Sequence, residues 1–111
     1  MIRAEYLGDN PDIIAVFMGA NDIIKIGADP GTFNAETYAN VGTDITSSTV
    51  FVDAYSVMAK RLLSFYPDSD IYLFTIMYNG RVSSDLLDSY NDVIRGIANY
   101  SDSDNIHLVD L

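Results

Sequence analysis

One stretch of this sequence decides its fold: Pro11-Asp12-Ile13-Ile14-Ala15-Val16-Phe17-Met18-Gly19-Ala20-Asn21-Asp22. Its apolar run, from Ile13 to Met18, is typical of a strand that is buried on both faces of a parallel sheet. In open parallel sheets, ligands bind just beyond the carboxyl ends of the strands. The polar residues that follow this run are therefore predicted to lie at the edge of the sheet where chemistry takes place.

Two of the residues that follow this run, Gly19 and Asn21, suit a reaction site. The amide of Asn21 can donate a hydrogen bond to an oxyanion that develops on a substrate. Gly19 lets the backbone turn sharply and leaves room for a ligand to approach. The sequence thus predicts Asn21 as a catalytic group and Gly19 as part of the substrate-binding surface.

Further apolar segments alternate with amphipathic ones along the rest of the chain. Residues 1–8 are predicted to end a helix, and residues 23–48 to form a long irregular segment. The pattern then predicts a helix over 50–66, with Ser47, Ser48 and Thr49 as candidate N-caps, and a strand over 70–78. A second helix, capped by Ser83 or Ser84, is predicted to bury Leu86, Leu87, Tyr90, Val93, Ile94 and Ile97, and a strand follows over 105–111. Strands that alternate with helices of about 15 residues imply right-handed crossovers and a parallel sheet. The predicted fold class is α/β.

The composition indicates one small globular domain and argues against several partners. Of the 111 residues, 49% are hydrophobic and 20% are charged. A net charge of −10 with only six Lys and Arg argues against nucleic acid and anionic membranes. No segment reaches the roughly 18 apolar residues of a transmembrane helix. The aspartate pairs Asp68/Asp70 and Asp102/Asp104 lack the rest of a calcium loop. The sequence also contains no Gly-rich phosphate loop and no metal-binding cluster, so we expect no metal and no cofactor. Without cysteine, the sequence does not indicate a compartment.

The residues Gly19 to Asp22, preceded by a Pro-Asp-hydrophobic strand, resemble the Gly-x-Asn-Asp block of the SGNH hydrolases, also called GDSL lipases and esterases. The resemblance implies a three-layer, flavodoxin-like sandwich with five parallel strands in the order 2-1-3-4-5. The strands predicted here would be its third, fourth and fifth. The resemblance also implies a small-molecule ester substrate and a role for Asn21 as one of three oxyanion-hole donors. Asp22 would belong to the substrate-binding surface and fix the local loop by hydrogen bonding, and an ordinary helix or turn cap is an equal alternative.

Three parts of that family's catalytic machinery have no counterpart in this sequence, and one of them is the upstream oxyanion glycine. The pair Gly8-Asp9 continues as Asn10-Pro11 and not as the nucleophilic serine. The family's Asp-x-x-His block normally follows its fifth strand, and this sequence stops at Leu111, where the predicted strand ends. We therefore expect one partial domain over residues 1–111 that contributes Asn21 and has no esterase activity alone. Whether it belongs to an enzyme depends on residues that it does not contain.

The segment Asp104-Asn105-Ile106-His107 has the same Asp-x-x-His spacing and contains the only histidine. His107 is either a general base that Asp104 orients, or a strand residue that faces a helix. The predicted strand places it about four residues, or roughly 13 Å, before the carboxyl end. Asn21, in contrast, lies beyond the carboxyl end of its own strand. The structural role is therefore the one that we expect for His107.

The proposed strand order has a consequence for assembly. Without the first two strands of a 2-1-3-4-5 sheet, the strand over 12–18 is a bare edge, and an apolar, unpaired edge invites pairing with another chain. We therefore predict a homodimer through this exposed edge strand. A second class of function stays open, namely a non-catalytic binding or interaction module with a flavodoxin-like core. The genomic sequence on both sides of this chain would distinguish the two.

Overall fold

The computed structural model describes residues 12–17, 29–43, 50–77, 80, 82–100 and 104–111. Three strands form one sheet in the order β1-β2-β3, namely β1 (Ile13–Val16), β2 (Asp70–Phe74) and β3 (Ile106–Val109). Both strand pairs are parallel. The helices of the described ranges are α1 (Ala35–Ala39), α2 (Phe51–Phe65) and α3 (Ser84–Tyr100). The predicted α/β fold, with about three parallel strands joined by crossover helices, is confirmed.

The two faces of the sheet differ in burial. The register aligns Ile14 with Ile71 and Ile71 with Ile106, and these side chains lie in one hydrophobic core with residues of α2 and α3. The chain passes from β1 to β2 and then to β3 in one direction across the sheet. Because such crossovers share one handedness, α2 and α3 lie on the same face of the sheet. The opposite face, here called the open face, is exposed or half-buried and consists of Ile13, Ala15, Phe17, Asp70, Tyr72, Phe74, His107 and Val109. The prediction that β1 is buried on both faces is therefore wrong.

Helix α2 begins against a turn that is distant in sequence. Its N-cap residue is Val50, which makes no side-chain capping hydrogen bond, and the N–H of Val52 donates to the carbonyl of Pro30 at 2.9 Å. Gly31 has a φ of +81°, and a Cβ at this position would lie 2.6 Å from Cγ1 of Val52. Only glycine suits this approach. A carbonyl from the preceding loop thus satisfies one N–H at the start of α2, and the cap candidates Ser47, Ser48 and Thr49 lie outside the described residues.

Helix α3 forms as its sequence predicts. The Ser83 hydroxyl accepts a hydrogen bond from the N–H of Leu86 at 3.2 Å, which confirms Ser83 as an N-cap. Of the residues that the helical spacing selected, Leu86 is half-buried against the core and the others are buried, namely Leu87, Tyr90, Val93, Ile94 and Ile97. Asn91 and Ala98 complete the buried face. Within the described ranges, no helix combines the length and the hydropathy that a membrane span needs.

Other boundaries differ from the prediction. The strands are shorter than the apolar runs that contain them. For example, β2 ends at Phe74, and Ile76 is buried although it lies beyond the strand. Helix α1 was not predicted; it begins at an N-cap, Asn34, whose side chain accepts from the N–H of Thr37 at 2.9 Å. The predicted helix end over 1–8 lies outside the described residues.

Candidate functional site

The carboxyl ends of the three strands meet at one edge of the sheet, because all pairs are parallel. This is the edge at which ligands bind in open α/β sheets. The catalytic candidate Asn21 and the substrate-binding candidates Gly19 and Asp22 follow β1 in the sequence and lie outside the described residues. The described part of this edge consists of the residues that follow β1, β2 and β3.

The segment that follows β2 is fixed by a buried side chain of α3. The carboxamide oxygen of Asn91 accepts a hydrogen bond from the N–H of Ile76 at 2.7 Å, and its NH₂ group donates to the Ile76 carbonyl at 3.0 Å. Asn91 is only 5% exposed. Because both backbone groups of Ile76 are satisfied by one rigid amide, the chain leaves the sheet in a defined direction.

The ends of β2 and β3 are joined by hydrogen bonds. The N–H of Thr75 donates to the carbonyl of Val109 at 3.1 Å, and the buried Thr75 hydroxyl accepts from the N–H of Leu111 at 2.8 Å. Residues that follow β3 therefore start from a position that is fixed relative to β2.

An ion pair holds the end of β3 against α3. Arg95 donates two hydrogen bonds to the Asp110 carboxylate, each at 3.0 Å, and a third to Asp92 at 3.0 Å. Hydrogen bonding from the guanidinium lowers the pKa of Asp110 below its ordinary value of 3.8. The same bonds raise the pKa of Arg95. This contact orients the final residues of the described structure.

Two aromatic rings cover the open face near the same edge. Phe17 and Phe74 stack with their centroids 4.0 Å apart. Phe17 is nevertheless 68% exposed, and Met77, just beyond β2, is exposed as well. These side chains give the edge an apolar surface beside the strand that leads to Gly19 and Asn21.

His107 lies away from this edge. Its Nε2 is 3.0 Å from Oδ1 of Asp70, the first residue of β2, and its ring stacks on Tyr72 with centroids 4.8 Å apart. The strand position of His107 is confirmed. It lies on the open face, so it does not face a helix among the residues that the structure describes. The hydrogen-bond partner that the structure gives it is Asp70, at the amino end of the sheet.

A cleft of about 440 Å³ lies between residues 29–33 and α3. Its lining includes two carboxylates, Asp29 and Asp92, and two hydroxyl groups, those of Thr32 and Ser89. Asp29 already accepts from the N–H of Gly31 at 2.8 Å, and Asp92 already binds Arg95. Both carboxylates therefore have structural partners, since Asp29 stabilises the turn at Gly31 and Asp92 pairs with Arg95 on the surface of α3. Among the described residues, no group of three or more His, Cys, Asp or Glu side chains is arranged to bind a metal ion.

Sequence reasoning missed Asn91, Thr75 and the Arg95–Asp110 pair. For Asn91 a signal existed: it lies four residues after Leu87 and three before Ile94, inside the apolar face of α3. A polar side chain on a buried stripe needs a hydrogen-bond partner. For Thr75 and Asp110 the sequence contains no comparable signal, since their partners depend on the strand register.

Comparisons of this chain with protein-family models, with curated proteins and with solved structures give no match. The geometry defines a parallel α/β domain in which the carboxyl edge of the sheet is the candidate site.

Proposed function

We propose that this chain supplies the oxyanion-hole asparagine, Asn21, of an SGNH-type serine ester hydrolase. The nucleophilic serine and the catalytic Asp-x-x-His block would lie outside these 111 residues. One observation carries the proposal: the Gly-x-Asn-Asp block at 19–22 directly follows an apolar run that contains β1, a strand of a parallel sheet. The strand order β1-β2-β3 is compatible with the third, fourth and fifth strands of a flavodoxin-like sandwich.

The proposed chemistry is acyl transfer from a small-molecule ester. The serine hydroxyl attacks the ester carbonyl while histidine takes the serine proton, and the carbonyl oxygen gains negative charge. The Asn21 amide donates a hydrogen bond to this oxyanion, together with backbone N–H groups. Histidine then returns the proton to the leaving alcohol, and water hydrolyses the acyl-enzyme by the same steps. The removal of one oxyanion donor costs about 10²- to 10³-fold in kcat.

The described contacts support such a site by fixing the edge of the sheet around it. Asn91 holds the segment after β2, and Thr75 and Arg95 hold the segment after β3. Catalytic groups need positions that are defined to within a fraction of an ångström, which rigid supporting contacts provide.

The test uses the complete open reading frame that contains this segment. The purified protein is expected to hydrolyse p-nitrophenyl acetate, and Asn21→Ala is expected to lower kcat by about 10²- to 10³-fold. Asn40→Ala is the matched control, because Asn40 is the exposed C-cap residue of α1. His107→Gln is expected to leave kcat unchanged, since His107 binds Asp70 at the amino end of β2.

Two results would contradict the proposal. The first is an Asn21→Ala enzyme whose kcat equals that of the parent. The second is a reading frame without Gly-Asp-Ser upstream and Asp-x-x-His downstream, which would favour the non-catalytic interaction module. The 111-residue chain alone is expected to show no turnover, and Asn21-dependent turnover by it would contradict the requirement for outside residues.

A further inference from the structure

Three contacts, here called the edge network, join α3 to the chain after β2 and to the chain after β3. Asn91 and Arg95 lie four residues apart on α3 and are therefore neighbours on one side of the helix. Asn91 binds the backbone of Ile76, and Arg95 binds the carboxylate of Asp110. One helix thus sets the distance between the two chain segments.

The third contact of the edge network bonds the two chain segments to each other. Thr75, the residue that follows β2, accepts the N–H of Leu111 through its hydroxyl at 2.8 Å. The N–H of Thr75 donates to the carbonyl of Val109, the last residue of β3, at 3.1 Å. The edge network is therefore closed, since α3 binds both segments and the segments bind each other.

The edge network fixes direction as well as distance. Arg95 donates from Nε and Nη2 to the two oxygens of Asp110, each at 3.0 Å, and a bidentate pair of this kind fixes the plane of the carboxylate. Thr75 is 3% exposed, and its branched side chain has few rotamers. Any residue that follows Leu111 consequently starts in a direction that these side chains set.

We propose that Thr75, Arg95 and Asp110 are positioning residues for the general base of the proposed hydrolase. This inference rests on the proposed function, in which a histidine after β3 is the base. Because the strands are parallel, the chain after β3 starts at the carboxyl edge of the sheet, where the reaction would take place. The three side chains act through the backbone after β3 and not on the substrate.

The position of the base matters because proton transfer needs hydrogen-bond reach. The histidine must approach the serine hydroxyl to about 2.6–3.2 Å, and a misplacement of about 1 Å can cost about 10²-fold in rate. The loss of one contact of the edge network is therefore expected to lower kcat. Substrate binding is expected to change little, since the base is not needed to hold the ester in place.

Asp92 provides a matched control on the same guanidinium. It accepts a hydrogen bond from Nη1 of Arg95 at 3.0 Å, as Asp110 accepts from Nε and Nη2. Asp92 and Arg95 both belong to α3, so their contact does not reach the chain after β3. A variant of Asp92 thus removes a partner of Arg95 and leaves the edge network closed.

The test uses the complete open reading frame with p-nitrophenyl acetate, and kcat and KM are measured separately. Thr75→Val keeps the shape of the side chain and removes the hydroxyl; it is expected to lower kcat at least about tenfold and to change KM less than about twofold. Thr75→Ser restores the hydroxyl and is expected to restore kcat. Asp110→Ala is expected to lower kcat at least about tenfold, and Asp92→Ala to leave it unchanged.

A purely structural role would lower the thermal midpoint without lowering kcat, so all variants are compared at a temperature well below the lowest midpoint. If Thr75→Val and Asp110→Ala retain the parent kcat, the inference is overturned while the proposed function stands. The same holds if Thr75→Ser loses as much as Thr75→Val. An inactive parent protein would overturn the proposed function, and this inference with it.

Discussion

The carboxamide of Asn91 and the backbone of Ile76 form a reciprocal pair of hydrogen bonds, 2.7 and 3.0 Å long, in the buried interior. The pair connects the middle of α3 to the chain just beyond β2. The Asn91 side chain satisfies the N–H and C=O groups of Ile76, as a neighbouring strand would, at a point where β2 has already ended.

Asn91→Ala is expected to lower the free energy of unfolding by about 2–4 kcal/mol, because two buried backbone groups of Ile76 lose their partners. Asn40→Ala, which removes an exposed carboxamide bonded to the carbonyl of Glu36, is expected to cost less than about 0.5 kcal/mol. Urea denaturation of both variants measures the difference. Equal effects of the two substitutions would show that the Asn91 pair is not a stabilising contact.

Gly96→Ala is expected to destabilise the protein although alanine favours helices. A Cβ at Gly96 would lie 2.5 Å from Cγ and 2.9 Å from Cβ of Phe33. Helix propensity would contribute about 1 kcal/mol of stability, and overpacking of this kind costs about 1–3 kcal/mol. The substitution should cost less in a Phe33→Ala background, where most of the clash is gone. A Gly96→Ala protein with a higher thermal midpoint than the parent would contradict this account.

Tyr55→Phe is expected to leave stability unchanged or to raise it by up to about 1 kcal/mol. The Tyr55 side chain is 2% exposed, and its hydroxyl has no hydrogen-bond partner among the described residues. Burial accordingly raises the pKa of this hydroxyl. Removal of an unsatisfied buried hydroxyl removes a desolvation penalty. Tyr55→Ala, in contrast, should cost about 3–5 kcal/mol, because the ring packs against Phe51. A Tyr55→Phe loss that approaches the alanine loss would reveal a hydroxyl partner.

The contact of Asp110 with Arg95 is expected to depend on pH. Because the folded state lowers the pKa of Asp110 below 3.8, its stabilising effect is present above that pH and is lost as the pH falls through the lowered value. The stability difference between the parent and Asp110→Asn should therefore be constant near neutral pH and shrink at lower pH. Asp68→Asn, at an exposed turn residue, is the control. Dilute samples are needed, since the pI is about 4.1. A difference that is undiminished at pH 3 would contradict this expectation.

Local patterns predicted much of the fold. The helical spacing of Leu87, Tyr90 and Ile94 predicted the buried face of α3, and the hydroxyl of Ser83 was recognised as its cap. Alternation of strands and helices predicted the parallel sheet. These features depend on residues close together in the sequence, where periodicity and capping carry the information.

The features that were missed depend on distant partners. The start of α2 is set by the carbonyl of Pro30, which no local pattern indicates. The exposure of Ile13 and Phe17 depends on which face the helices cover, and an apolar run alone does not reveal it. For the candidate site, the sequence indicated Asn21, which stays a prediction. The sequence shows Asn91 as a polar residue on an apolar helix face, but its partner, Ile76, depends on how α3 packs against the chain after β2.

The strand register also has a kinetic consequence. Pairing of β2 with β3 joins positions 71 and 106, whereas pairing of β1 with β2 joins positions 13 and 70. The longer closure costs about 0.4 kcal/mol more in chain entropy, and the strand that it adds is buried on one face only. We therefore expect β2, α3 and β3 to assemble first and β1 to dock last. In stopped-flow experiments, Val93→Ala should mainly slow refolding, and Ile14→Ala should mainly accelerate unfolding.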